Sequence, residues 1–262
     1  MTPLDKINCF LLDMDGTVYL GDELIDGAGL FLDTIRTRGK RYIFVTNNSS
    51  KNGDAYAKKL NRLGVRADPG GIFTSGEAAA IYLNQIMPGA DIFLLGTDAL
   101  EDEFTRAGFK IEKGVRVPGC VVLGFDTGLT YAKLWAACDH IRAGVPYYAT
   151  HPDLNCPIEG GRLMPDTGSM IAFIKAATGK KPEVIGKPNG RIVDALLAKY
   201  GLRKEEIAIV GDRLYTDIKT GADFGITSAL VLSGETDLRM SRRSRIKSDY
   251  VFNSVKDIIP YL

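Results

Sequence analysis

The stretch Cys9-Phe10-Leu11-Leu12-Asp13-Met14-Asp15-Gly16-Thr17 decides how the rest of this chain is read. Four apolar residues in succession suit a strand buried on both faces, the kind found inside a parallel sheet. Open sheets of that kind place ligands just beyond the carboxyl ends of their strands, which is where Asp13 falls. Asp15 follows one residue later, and two carboxylates this close repel each other unless a cation or a shared proton intervenes. Oxygen ligands with few companions favour magnesium, which keeps waters and a substrate phosphate in its shell. An ordinary strand end with an Asp-Gly turn would look the same locally, so the stretch needs company.

The company lies at three later strand ends. Thr46-Asn47-Asn48-Ser49-Ser50 follows the run Tyr42-Ile43-Phe44-Val45. Gly186-Lys187-Pro188-Asn189 precedes a helical stretch. Gly211-Asp212 through Asp217 follows Ile207-Ala208-Ile209-Val210. Hydroxyl and amide donors ahead of a helix are suited to holding an oxyanion, though the same residues also make a plain helix cap. A lone loop lysine is usually solvent-exposed, so Lys187 takes its meaning from the other three.

Together these segments resemble the four motifs of the haloacid dehalogenase (HAD) superfamily, in that family's order. The resemblance implies that Asp13 attacks phosphorus and that Asp15 handles the proton. Thr46, Asn47 and Lys187 would bind the phosphoryl group. Mg2+ would be held by Asp13, Asp15 (through its main-chain carbonyl) and Asp212, with Asp217 orienting the metal's waters or Lys187. Asp15 argues for a phosphatase, because dehalogenases lack this second aspartate and transport ATPases place Thr there.

Short apolar runs alternate with amphipathic helical stretches, which predicts an α/β protein with a parallel sheet. The same rhythm runs to about residue 78 and returns near Val184 with a short strand. Between them, residues 79–178 carry almost none of the chemistry and are long enough for a core of their own. The expectation is a Rossmann-like doubly wound core over 1–78 and 179–262 with an inserted α/β cap domain over 79–178. This cap and the phrases Gly124-Phe125-Asp126 and Pro152-Asp153 resemble the NagD-like nitrophenylphosphatase branch. There the loop bearing His151 and Asp153 would face the leaving group, although His151 stands where relatives carry Asn.

Composition narrows the remaining options. With 262 residues, 45% hydrophobic and 25% charged, the chain is an ordinary globular protein. A net charge of +1 gives no general reason to bind nucleic acid or membrane. No apolar run approaches the roughly 18 residues of a membrane span, and no secretory signal pattern precedes the first strand, so a cytoplasmic location is expected. The cysteines Cys9, Cys120, Cys138 and Cys156 form no Cys-x-x-Cys pair. Cys156 and Arg162 have the spacing of a cysteine-dependent phosphatase, but Pro157 removes an amide such a loop needs. The basic cluster at 239–247 reads as a solvated helix face.

The expected substrate is a small phosphomonoester, a sugar phosphate or related metabolite, with nitrophenyl phosphate serving in vitro. Nucleoside monophosphates, glycerol phosphate and pyridoxal phosphate are alternatives within that class. A non-catalytic phosphosugar-binding protein on the same fold is the alternative outside it. The family resemblance also implies a cap-to-cap homodimer, which nothing in the residues demands.

Overall fold

In the computed structural model, which describes residues 3–113, 116–158 and 161–262, the buried run Cys9–Leu12 is a central strand. It pairs in parallel with Arg41–Thr46 on one side and Ile207–Gly211 on the other. The six-stranded sheet has the order Tyr250–Phe252, Thr227–Val231, Ile207–Gly211, Cys9–Leu12, Arg41–Thr46, Ile72–Thr74. The chain leaves Cys9–Leu12 toward one edge and later returns toward the other, so this strand borders the point where strand order reverses. Asp13 and Asp212 directly follow two adjacent strands, and Thr46 is the last residue of a third.

Burial explains why these segments are strands. All four residues of Cys9–Leu12, and all five of Ile207–Gly211 and Thr227–Val231, are buried, which only a sheet covered on both faces provides. The helix Ala28–Thr37 buries Ala28, Phe31, Leu32 and Ile35, one stripe at helical spacing. Phe31 meets Phe10 edge to face with ring centroids 6.2 Å apart, tying that helix to the central strand.

The chain divides into two compact units. One comprises Met1–Thr46, Tyr56–Phe73 and Leu196–Leu262; the other comprises Asn47–Ala55 and Thr74–Ala195. The second has its own parallel sheet, in the order Glu183–Val184, Tyr147–Ala149, Cys120–Leu123, Asp91–Leu95, Lys110–Ile111. Its core gathers Leu95, Val121, Leu123, Ala137 and Ile174. Both units are thus built on parallel sheets of the Rossmann-like type.

One strand differs from expectation. The segment expected to resume the first sheet near Val184 instead pairs with Tyr147–Ala149 in the second. A two-residue strand carries no periodicity from which its partner could be read. The second unit also has an antiparallel pair, Asn155–Ile158 with Arg162–Pro165. The Cys156–Arg162 segment therefore runs along two paired strands, with its residues Glu159 and Gly160 outside the described ones. Among the described residues no helix is long and apolar enough to cross a membrane.

Candidate active site

The Asp13 N–H donates to the Val210 carbonyl at 2.9 Å, carrying the ladder one residue past the strand. Beyond it the chain turns back tightly. The N–H groups of Thr17, Val18 and Tyr19 converge on the Met14 carbonyl at 3.2, 2.8 and 3.1 Å. Gly16 makes this turn with φ at +82°, a conformation that favours glycine. It is needed for a second reason: a Cβ there would stand 2.5 Å from Asp212 Oδ2. Gly234 approaches the same carboxylate from another side, where a Cβ would lie 2.0 Å from Oδ2. Nothing in the sequence reading singled out Gly234; its only signal is that Ser233-Gly234 follows an apolar strand.

The space these glycines leave is filled by carboxylates. Asp13, Asp212 and Asp217 each offer an oxygen, and the three oxygens lie within 4.8 Å of one another. Asp217 reaches the cluster from a single π-helical turn, Leu214–Ile218, a geometry frequent at functional sites. Its Oδ2 accepts from the Arg213 N–H at 3.3 Å. Asp212 Oδ2 accepts from the Glu235 N–H at 2.6 Å, whereas its Oδ1 is buried and has no hydrogen-bond partner. Burial, and then the charges of Asp13 and Asp217, push the Asp212 carboxyl from its usual 3.8 up to about 8; the Glu235 amide and Arg213 act in the opposite direction.

An orphaned carboxylate oxygen facing two further carboxylates fits a divalent cation, which would satisfy that oxygen and cancel the repulsion. Asp15 is half-buried beside this cluster in sequence, and its side chain is not one of the three that converge.

Asn47 and Lys187 come together in the other unit. The Asn47 amide clasps the Lys187 main chain from both sides: Nδ2 donates to the Lys187 carbonyl at 2.9 Å and Oδ1 accepts from its N–H at 2.8 Å. Nδ2 also lies 3.2 Å from Asp153 Oδ1. Gly186 makes the clasp feasible, because a Cβ there would meet the Thr150 carbonyl at 2.5 Å and Asn47 Oδ1 at 2.8 Å. Lys187 itself is 2% exposed, far from the usual solvated lysine. Asn47→Ala removes both halves of the clasp and leaves buried main-chain groups unpaired. It is expected to lower stability by about 2–3 kcal/mol in urea unfolding, and a loss under about 0.5 kcal/mol would contradict the assigned role.

His151 is completely buried. Its Nε2 shares a 2.9 Å hydrogen bond with Asp166 Oδ1, and Nδ1 lies 2.9 Å from Thr150 Oγ1. Thr150 Oγ1 continues the chain to Ser49 Oγ at 2.9 Å. Asp166 also caps the helix Thr167–Thr178 through the Thr167 N–H. Both ring nitrogens are engaged within this network.

Carboxylates gathered at neighbouring strand ends, beside the point where strand order reverses, are a group that could hold a hard cation. Comparison with known proteins identifies the class. Residues 10–110 match the family model of haloacid dehalogenase-like hydrolases, and residues 184–258 match a second, HAD-hydrolase-like model. The chain is 34% identical to the acid sugar phosphatase of Staphylococcus aureus (strain USA300), over 99% of each protein. The chain belongs to the haloacid dehalogenase-like hydrolases, in their NagD-like nitrophenylphosphatase branch. The 4-nitrophenylphosphatase of Thermotoga maritima superposes with a TM-score of 0.94 at 46% identity, covering 98% of both chains. A glycerol phosphate phosphatase of Mycobacterium tuberculosis, solved with magnesium, gives 0.91 at 33% identity over 98% of this chain and 78% of that one.

Proposed function

We propose that this protein is a magnesium-dependent phosphatase of small phosphomonoesters, sugar phosphates foremost, working through an aspartyl-phosphate. The class itself, a phosphoric monoester hydrolase of the HAD type, follows from its relatives. The observations that carry the proposal are the convergence of Asp13, Asp212 and Asp217 and the unsatisfied, buried Asp212 Oδ1. Asp13, Asp212 and the Asp15 carbonyl would hold Mg2+, with Asp217 beside them. When bound, the ion supplies positive charge that lets an anionic carboxylate and an anionic phosphate approach each other.

The chain's own residues divide the remaining work. A carboxylate oxygen of Asp13 bonds to phosphorus as the bond to the alcohol oxygen breaks. Asp15 gives its proton to the departing alkoxide, then takes one from the water whose oxygen attacks phosphorus and frees Asp13. The Thr46 hydroxyl and the Lys187 ammonium are assigned the equatorial oxygens, where charge accumulates. Asn47 serves Lys187 by fixing its main chain. All four cysteines are free and three of them buried, as suits the reducing cytoplasm in which we place the enzyme.

Phosphate release from nitrophenyl phosphate is expected to stop with excess chelator and return with added Mg2+. Across sugar phosphates, glycerol phosphate, nucleoside monophosphates and pyridoxal phosphate, the highest kcat/KM is expected for a sugar phosphate. Glycerol phosphate is the second candidate, because a magnesium-bound relative bears that name. Chelator-resistant turnover, or no turnover of any member, would refute the reading.

A further inference from the structure

At the amino end of the first sheet, two clefts of about 310 Å³ each adjoin one another. Arg36, Tyr42 and Arg66 stand in the walls of both, Lys40, Arg41 and Asp68 also line the first, and Asp33 lines the second. The segment Arg36-Thr37-Arg38-Gly39-Lys40-Arg41 places four cations in six residues, in a chain whose net charge is only +1.

Two of these cations already have partners. Arg36 pairs with Asp33 on its own helix. Lys40 Nζ donates to the carbonyls of Leu4, Asp5 and Ile7 at 3.2, 2.6 and 2.8 Å. Arg41 and Arg66 are different: both are exposed, and neither makes an ion pair or side-chain hydrogen bond among the described residues. A guanidinium offers a planar fork of donors whose geometry matches phosphate oxygens. Tyr42 lines both clefts and lies half-buried, its ring edge to face against Phe44 with centroids 5.2 Å apart. That gives the clefts an aromatic wall against which a planar ring can pack.

The catalytic centre lies at the other end of the same strands. Arg41 pairs in register with Cys9, four residues before Asp13. Strand rise separates it from the strand-end Thr46 by about 16 Å. A ligand here would touch none of the carboxylates.

We propose that the joined clefts bind a nucleotide, its phosphates on Arg41 and Arg66 and its base against Tyr42, at a site separate from the carboxylate cluster. Two lobes sharing an aromatic and two guanidinium walls match a two-part molecule, anionic at one end and planar at the other. The reading does not depend on what the enzyme hydrolyses.

Calorimetric titration of ADP into the Asp13→Asn protein, with chelator present, isolates this site from turnover and from the metal centre. One binding event is expected, weakened at least about tenfold by Arg41→Glu with Arg66→Glu, and similarly by the two Arg→Gln changes. Adenosine and pyrophosphate, each holding half of the recognised chemistry, are expected to bind at least about tenfold more weakly than ADP. Otherwise wild-type protein carrying the charge reversals should hydrolyse nitrophenyl phosphate at an unchanged rate, which also reports an intact fold. Absence of ADP binding, an affinity indifferent to both arginine pairs, or pyrophosphate binding as tightly as ADP would overturn the proposal.

Discussion

Asp13→Asn is expected to reduce phosphate release by on the order of 10⁴-fold or more, because an amide oxygen does not displace an alkoxide from phosphorus. The fold should survive the change. The main-chain bond from Asp13 to Val210 does not involve the side chain, and one of three mutually repelling carboxylates is removed. The melting temperature is therefore expected to stay level or rise. Beryllium fluoride, soaked into wild-type crystals with Mg2+, should form its adduct on an Asp13 oxygen. A variant that keeps more than about one hundredth of wild-type kcat with an unaltered fold would move the nucleophile elsewhere.

The second large effect is on stability. Burial and the neighbouring carboxylates push the metal-free Asp212 carboxyl from its usual 3.8 up to about 8. Between these values the folded chain holds a proton that the unfolded chain has lost. Stability from this group is thus complete at low pH, falls as pH rises through the window, and is gone above pH 8. Asp212→Asn has no such proton, so its metal-free melting temperature should be flatter with pH and higher than wild type near pH 8. Mg2+ at about 100 times its dissociation constant should stabilise wild type by roughly 2.7 kcal/mol, a rise of about 5–10 °C. The variant should gain almost nothing. Equal Mg2+ shifts in the two proteins, read by differential scanning calorimetry after chelation, would place the ion away from Asp212.

Much of the first sheet is legible in the sequence because burial on both faces leaves a simple signal. Cys9–Leu12 and Ile207–Gly211 are short apolar runs, and each is followed by the acid that matters. Position along a strand is thereby tied to position in the site. Asp217 is harder to place. Its carboxylate joins the cluster through a π-helical turn whose extra residue changes the direction of the side chain, and no residue type announces such a turn. His151 is ambiguous for another reason. A histidine in a loop reads equally as a ligand-facing group or as a buried link, and the deciding partner, Asp166, lies fifteen residues away. Asn47 is expected at the anion from its place after Thr46, and nothing local announces that its side-chain amide also holds a main chain 140 residues later.

The order of the first sheet also bears on how the protein is born. Cys9–Leu12, its central strand, pairs on one side with Arg41–Thr46, which leaves the ribosome soon after it. Its other neighbour, Ile207–Gly211, is made about 200 residues later, a wait of roughly 10–40 s at ordinary translation rates. For that interval an apolar strand is missing one of its two partners, an invitation to mispairing with other nascent chains. The trio of acids is likewise incomplete until residue 217 has been added. A polypeptide truncated between Asp13 and Asp212 would keep the proposed nucleophile but lack the acids that gather with it, so the cluster is complete only once Asp217 has been added.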